Sequence, residues 1–235
     1  MSRVDRAMIL AAGLGLRMRP LTNDKPKALV TLRNKTLLDR ALEKCRAAGA
    51  TSLIVNTHYK SEMIIRHVSA MRDVAVSEET ELLETGGGVA KALPMLGGNS
   101  FFVVNCDSVW LDADTPALLQ LARHWCETKM DALLLLHSTT RAVGYDGSGD
   151  FNLNPDGRLK RRTEGSSAPH VFMGVQILHS RLFEGCAIGQ FSLNRLYDRA
   201  LEARRLFGLK HDGTWFHVGT PEDLVYAERW MSAGT

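Results

Sequence analysis

The stretch RAMILAAGLGLRMRPLTNDKPK, which covers residues 6–27, decides the fold class of this 235-residue chain. Its apolar run over 7–11 does not alternate with polar residues, which is typical of a strand buried on both faces of a parallel sheet. A glycine-rich loop follows the run directly. Because ligands of open α/β sheets bind at the carboxyl ends of the strands, this stretch predicts a central strand that leads into a binding loop.

The rest of the chain alternates short apolar runs with helical patterns, which favours an α/β fold. We predict a Rossmann-like three-layer α/β/α architecture with a mixed, mostly parallel sheet, in a single domain over residues 1–235. Its nucleotide-binding half is predicted at about 1–140, and a substrate-binding half at about 141–235 shares the same sheet. The further predicted strands are 52–56, 74–76, 101–105, 132–137, 171–178, 206–210 and 214–218. The predicted helices are 37–48, 61–71, 88–93, 118–125, 193–203 and 221–230. The segment 107–114 is predicted as an acidic loop and 154–157 as a hairpin turn.

Small residues in the glycine-rich loop let backbone N–H groups approach phosphate oxygens closely, where bulkier residues would keep them away. Arg17 can add a bidentate guanidinium, and Lys27 a compact positive charge on a backbone that Pro26 stiffens. The loop lacks the third glycine of the Rossmann pattern and the G-K-S/T of the P-loop. A structural turn with basic surface residues is the alternative interpretation. The candidate backbone ligands of phosphate are Ala11, Ala12, Gly13 and Gly15.

The whole run over 11–27 resembles the signature of the sugar nucleotidyltransferase family, roughly L-A-A-G-x-G-x-R-M-x-P-x-T-x-x-x-P-K. The resemblance implies that the loop wraps the triphosphate of an NTP, and that Arg17 and Lys27 neutralise it and act in catalysis. It also implies the reaction, in which a nucleoside monophosphate passes from the NTP to a sugar 1-phosphate and pyrophosphate leaves. The matching positions are Gly13, Gly15, Arg17, Met18, Pro20, Thr22, Pro26 and Lys27.

The segment LETGGGVAKAL, residues 83–93, places three glycines at the start of a helix. A flat base can pack against a glycine backbone and be read by main-chain groups, although a turn or a helix C-cap would also explain the glycines. The matching segment of the family contacts the nucleobase. The resemblance therefore implies that Glu84, Thr85 and Gly86 bind the nucleotide.

A metal site is expected where Asn105-Cys106-Asp107 ends a buried strand, because a carboxylate there is well placed to bind a hard cation. The resemblance implies Mg²⁺ on Asp107, and we count Asn105 among the nucleotide-binding residues. The stretch WFHVGT, residues 215–220, resembles the family's W-x-D-x-G-T, whose aspartate completes the metal site, but His217 holds that position. Since imidazole suits Mn²⁺ better than Mg²⁺, we hypothesise that His217 is a metal ligand and that Mn²⁺ serves at least as well. A hydrogen bond from His217 to a phosphate is the alternative.

The sugar-binding half carries candidate ligands of the sugar phosphate. A pair of carboxylates can hold vicinal sugar hydroxyls. The resemblance implies that Asp150 and Glu164 form such a pair, and that Gly174 lines the pocket.

A second resemblance is narrower than the family and covers nearly the whole chain. The segments 83–96, 104–110, 149–153, 178–189 and 215–220 resemble the uridylyltransferases of bacterial peptidoglycan recycling. This implies UTP as the donor and N-acetylmuramate 1-phosphate as the acceptor. The same chemistry with another pair, such as GTP with mannose 1-phosphate, is one alternative, and an inactive nucleotide-sugar sensor is another. The glycine spacing disfavours a dinucleotide-dependent oxidoreductase.

Composition argues against several other classes of protein. The chain is 45% hydrophobic and its formal net charge is +3, which is too mild to predict binding of nucleic acid. No apolar run approaches the roughly 20 residues of a transmembrane helix, and residues 1–6 are polar, so we expect a cytoplasmic protein without a membrane partner. The four cysteines are far apart, which predicts neither a zinc site nor disulfides. We expect small-molecule substrates and a monomer or small homo-oligomer.

Overall fold

The computed structural model of the protein describes residues 4–233, and within them the chain forms thirteen strands and six α-helices. The strands are β1 (Arg6–Leu10), β2 (Thr31–Leu32), β3 (Lys35–Thr36), β4 (Ser52–Thr57), β5 (Val74–Glu78), β6 (Ser100–Asn105), β7 (Ser108–Leu111), β8 (Ala132–Ser138), β9 (Phe151–Leu153), β10 (Leu159–Arg161), β11 (His170–His179), β12 (Leu206–Lys210) and β13 (Thr214–His217). The helices are α1 (Leu37–Ala47), α2 (Ser61–Val68), α3 (Glu84–Leu96), α4 (Ala117–His124), α5 (Asn194–Glu202) and α6 (Pro221–Ala233).

The main sheet runs in the order β12-β8-β11-β6-β1-β4-β5, and the hairpin β9–β10 continues from one end of β11. The neighbours β6, β1, β4 and β5 are parallel to one another, as are β8 and β12. β11 is antiparallel to both β6 and β8. The predicted mixed, mostly parallel sheet in a single domain is therefore confirmed.

β1 lies inside the sheet because its side chains are apolar on both faces. Ala7, Met8 and Ile9 are fully buried, with β4 on one side of the strand and β6 on the other. Helices α1, α2 and α4 pack on the face of Ala7 and Ile9, while α3 and α5 pack on the face of Met8. The predicted three layers are confirmed. None of the helices in residues 4–233 combines the length and the hydropathy that a membrane span requires.

Two details of the predicted organisation were wrong. The acidic loop 107–114 contains β7, whose Val109 and Trp110 are buried and which pairs antiparallel with β13. The apolar run at 109–111 was the available signal for this strand. α3 begins at Glu84 and not at residue 88, so its three glycines lie within its first turns.

α6 packs on an apolar cluster outside the main sheet and thereby holds two parts of the site. Its apolar side meets Met18, from the glycine-rich loop, and Phe216, from β13. Its first turn is closed by a capping box. Asp223 Oδ2 accepts from the amide of Thr220 (2.9 Å), and Thr220 Oγ1 accepts from the amide of Asp223 (3.2 Å).

Candidate active site

Two cavities meet at Asn105 and Asp107, at the carboxyl end of β6. The first cavity has a volume of about 360 Å³ and the second about 260 Å³. The first cavity is lined by Leu10, Ala11, Ala12, Gly13, Gly15, Lys27, Asn56, Leu82, Glu84, Thr85, Asn105, Cys106, Asp107 and Ser192. The second cavity is lined by Arg17, Asn105, Asp107, Ser108, Tyr145, Asp150, Val171, Phe172, Met173, Gly174, Trp215, Phe216, His217 and Val218.

The glycine-rich loop folds back on itself, so that its lysine reaches the first cavity. Gly15 has φ +63°, and a Cβ there would lie 3.1 Å from Thr22 Cγ2 and 3.2 Å from Lys27 Cβ. Thr22 Oγ1 donates to the carbonyl oxygen of Gly15 (2.8 Å) and closes the fold of the loop. Position 15 therefore requires glycine both for its left-handed backbone and for lack of space.

An ion pair joins the loop to the end of β6. Lys27 Nζ lies 2.5 Å from Asp107 Oδ2. The side chain of Lys27 is only 12% exposed, whereas that of Asp107 is 35% exposed, so the ammonium is largely desolvated while the carboxylate stays accessible to water. Two residues singled out from different motifs are thus brought together at the junction of the two cavities.

The backbone of Ala11 is held by a side chain that sequence reasoning missed. Its amide donates to Asn56 Oδ1 (2.8 Å), so this N–H is not free to bind phosphate as expected. Ala12 and Gly13 line the first cavity next to it, and no described residue beyond 12–14 has an atom within 4 Å of the place where a Cβ of Gly13 would be. Gly13 therefore leaves an open approach to the backbone. The signal for Asn56 was its place at the carboxyl end of a predicted strand.

The glycines of the 83–93 segment serve packing inside the protein. A Cβ on Gly86 would lie 2.4 Å from the ring of Phe191, and one on Gly87 would lie 1.9 Å from the carbonyl oxygen of Gly189. The amides of both residues donate to the carbonyl oxygen of Phe191 (2.9 and 3.1 Å). Gly86 is absent from the lining of either cavity, within the part of the chain that the structure describes. The structure thus shows close packing of these glycines on the 189–191 loop, and the contact between Gly86 and a base stays a prediction.

Glu84 and Thr85, in contrast, line the first cavity as expected. Glu84 has φ +58°, an uncommon backbone conformation for a residue with a side chain. Thr85 Oγ1 accepts from the amide of Leu193 (2.9 Å), which brings the neighbouring Ser192 into the same wall. Ser192 was not identified from the sequence, since nothing local marks it.

The pairing of β7 with β13 places His217 beside the predicted metal ligand. Ser108, which follows Asp107 directly, is paired with His217 across these two strands. A Cβ on Gly219 would lie 2.9 Å from His217 Nε2 and 3.2 Å from Arg17 Nη1, so the imidazole and the guanidinium face the same point. Arg17 lines the second cavity and not the first.

Few groups are available to hold a metal ion. Within residues 4–233, no three side chains of His, Cys, Asp or Glu converge. Asp107 lines both cavities and His217 lines the second. Burial, with the nearby charge of Asp107 as the next cause, raises the pKa of Cys106 to about 12. Cys106 therefore stays a neutral thiol near neutral pH.

The second cavity contains two of the three residues expected to bind the sugar. Asp150 Oδ2 accepts from the amide of Phe172 (2.8 Å). Gly174 has φ +75°, and a Cβ there would lie 2.6 Å from Asn105 Nδ2. Glu164 is exposed and stands apart from the described lining of both cavities, so the expected pair with Asp150 does not form. Glu164 lies in a turn, where the amide of Ser166 donates to the carbonyl oxygen of residue 163 (3.0 Å).

Tyr145 completes a wall of the second cavity that sequence reasoning missed. Its hydroxyl accepts from the amide of Gly149 (3.1 Å), one residue before Asp150. Its ring lies 5.9 Å from that of Trp215 and 5.8 Å from that of His217. The residue lies among turn signals, and only the fold brings it to β13.

The chain is similar to known proteins in sequence and in fold. A family model described as Nucleotidyl transferase matches residues 6–232. A protein of Caulobacter vibrioides named N-acetylmuramate alpha-1-phosphate uridylyltransferase is 40% identical over 94% of this chain and 95% of its own length. A protein of the same name from Neisseria meningitidis is 36% identical over 97% and 99%. The solved structure of a UDP-glucose pyrophosphorylase complexed with UDP-glucose has a TM-score of 0.79 at 15% identity and covers 99% of this chain and 100% of that chain, which bears on the fold alone.

Proposed function

The chain belongs to the nucleotidyl transferase family, and we propose that it transfers UMP from UTP to N-acetylmuramate 1-phosphate and releases pyrophosphate. Two relatives that are 40% and 36% identical carry the name of this activity and match over nearly their whole lengths. N-acetylmuramate is a sugar of peptidoglycan, so the reaction would serve the recycling of that polymer.

The observation that carries the proposal is the meeting of the two cavities at Asn105 and Asp107. A transfer between two bound substrates requires their reacting groups to be adjacent and oriented. UTP in the first cavity would direct its phosphates toward Lys27. The sugar phosphate in the second cavity would then approach the α-phosphorus at the shared wall.

The proposed step is a single in-line displacement. An oxygen of the sugar phosphate forms a bond to the α-phosphorus of UTP, and the bond from that phosphorus to the bridging oxygen of the β-phosphate breaks. Because the attacking oxygen is already an anion, the step needs no general base. Lys27 and Arg17 would orient the phosphates and stabilise the charge that develops on them.

A divalent cation, Mg²⁺ or Mn²⁺, belongs to the proposal. The carboxylate of Asp107 would hold it, with His217 as the second candidate ligand, and oxygens of the triphosphate would complete its shell. The donor set fits, because Mg²⁺ commonly binds through one or two carboxylates together with substrate phosphates. When bound, the cation would neutralise phosphate charge.

The test is release of pyrophosphate by the purified chain with UTP and N-acetylmuramate 1-phosphate, in Mg²⁺ and then in Mn²⁺. GTP with mannose 1-phosphate is run in parallel. Release with the first pair alone is the expected result. Release with the second pair alone would keep the chemistry and reject the substrates. If neither pair gives pyrophosphate while UTP still binds, an inactive nucleotide-sugar sensor is favoured.

A further inference from the structure

A buried chain of hydrogen bonds connects the glycine-rich loop to the start of α3. The amide of Ala11 donates to Asn56 Oδ1 (2.8 Å), and Asn56 Nδ2 donates to Glu79 Oε1 (2.7 Å). The amide of Leu83 donates to Glu79 Oε2 (3.0 Å). Asn56 and Glu79 are each 2% exposed, so their polar atoms depend on one another and not on water.

Both ends of this chain of hydrogen bonds lie in the walls of the first cavity. Ala11 and Asn56 line it directly, and Leu83 is the residue before Glu84, which also lines it. Glu79 is itself held, because its amide donates to the carbonyl oxygen of residue 57 in β4 (2.8 Å). The carboxylate therefore lies at a fixed point between the loop on one side and the helix start on the other.

The third glycine of α3 is explained by the same contacts. A Cβ on Gly88 would lie 2.7 Å from Glu79 Oε1 and 2.8 Å from Asn56 Nδ2. Any side chain at position 88 would push the two groups apart. The helix thus leaves room for a buried carboxylate that is absent from the second cavity's described lining.

We propose that Asn56 and Glu79 are positioning residues for the nucleotide. They hold the glycine-rich loop and the 84–85 segment at a fixed distance from each other, so that these two walls of the first cavity contact the same UTP without rearrangement. A protein that must order its walls on binding loses affinity for that ligand. This inference rests on the proposed use of UTP, but it concerns the nucleotide side only.

A swap of the two functional groups tests the proposal. In Asn56→Asp, the new carboxylate at position 56 faces Glu79, and two acceptors oppose each other. In Glu79→Gln, the new amide at position 79 presents a donor to one of its two donor partners. In the double variant, the carboxylate at 56 accepts from the amide at 79, whose oxygen accepts from Leu83, so every partner is restored with the polarity reversed.

Each single variant is expected to raise the KM for UTP about tenfold, the cost of one buried group left without a partner. The KM for N-acetylmuramate 1-phosphate should stay within about twofold, since the second cavity is untouched. Glu79→Gln should raise the KM for UTP when it is made in the native chain, and lower it when it is made in the Asn56→Asp variant. The same factor in both backgrounds, or an equal rise in both KM values, would overturn the proposal.

Loss of stability alone is separated by a matched control. Tyr197→Phe removes another buried hydrogen bond, from the Tyr197 hydroxyl to Gln176 Oε1 (2.7 Å), and should lower the Tm without changing the KM for UTP. Titration calorimetry with UTP alone reads the same comparison even if the acceptor proves to be a different sugar phosphate. Should a single variant not fold, the UTP affinity of Gly88→Ala is measured instead. An unchanged affinity in that variant would also reject the proposal.

Discussion

The first and the second cavity differ in how the chain builds them. Most of the first cavity comes from the carboxyl ends of β1, β4 and β6 and the segments that follow β1 and β6, together with the start of α3. One wall of the second cavity is formed by the pairing of β7 with β13, which brings His217 opposite Ser108. The proposed nucleotide site is thus built largely from local motifs, whereas the proposed acceptor site depends on contacts between distant parts of the chain.

The largest expected effect is at the junction of the two cavities. Lys27→Ala should lower kcat/KM about a thousandfold, because it removes a largely desolvated charge that stabilises phosphate in the transition state. Steady-state pyrophosphate release measures this. Lys25→Ala is the control, since Lys25 lies outside the described lining of both cavities. Equal losses in the two variants would mean that general basicity of the loop matters, and not the pair with Asp107.

The second prediction tests whether the second cavity takes the acceptor. Asp150→Asn keeps an oxygen for the amide of Phe172 but replaces the charged acceptor of sugar hydroxyls, so the KM for the sugar phosphate should rise about thirtyfold. The KM for UTP should not change. Glu164→Ala should leave both values within about twofold, as its exposed position implies. A larger effect at Glu164 than at Asp150 would reverse the assignment drawn from the geometry.

The third prediction concerns His217, the residue that the long-range pairing brings to the site. If His217 binds the metal, His217→Ala should raise the Mn²⁺ concentration for half-maximal rate about tenfold, and the Mg²⁺ concentration less. The exposed His124 gives a control variant, His124→Ala. If both metals keep their midpoints while the KM for the sugar phosphate rises, the hydrogen bond to phosphate is the correct interpretation. Unchanged metal midpoints and an unchanged rate would exclude both roles.

The contrast between the cavities also explains what the sequence could predict. The central strand, the layers and the loop with Lys27 follow from local apolar pattern and glycine placement. The role of Gly86 could not be read from the sequence, because glycine at a helix start serves a ligand and a packed loop equally well, and only the structure shows that the ring of Phe191 packs against it. Tyr145 and Ser192 carry no local signal, since their place in the walls is set by the fold.

The smallest expected effect is that of alkylation on activity, because Cys106, between the two residues that the cavities share, should not react. Alkylation requires a thiolate and access, and burial raises the pKa of Cys106 to about 12, so at pH 8 this thiol stays protonated. Cys126 is the opposite case, because a hydrogen bond with Thr128 is the first cause that lowers the pKa of its partly exposed thiol. Iodoacetamide at pH 8 should therefore label Cys126 before Cys106, and the activity should fall by no more than about a tenth. Peptide mass mapping alongside the rate assay measures both. The opposite result is a loss of activity in step with labelling of Cys106 that UTP prevents and the sugar phosphate does not. It would show that the first cavity opens far enough to expose Cys106.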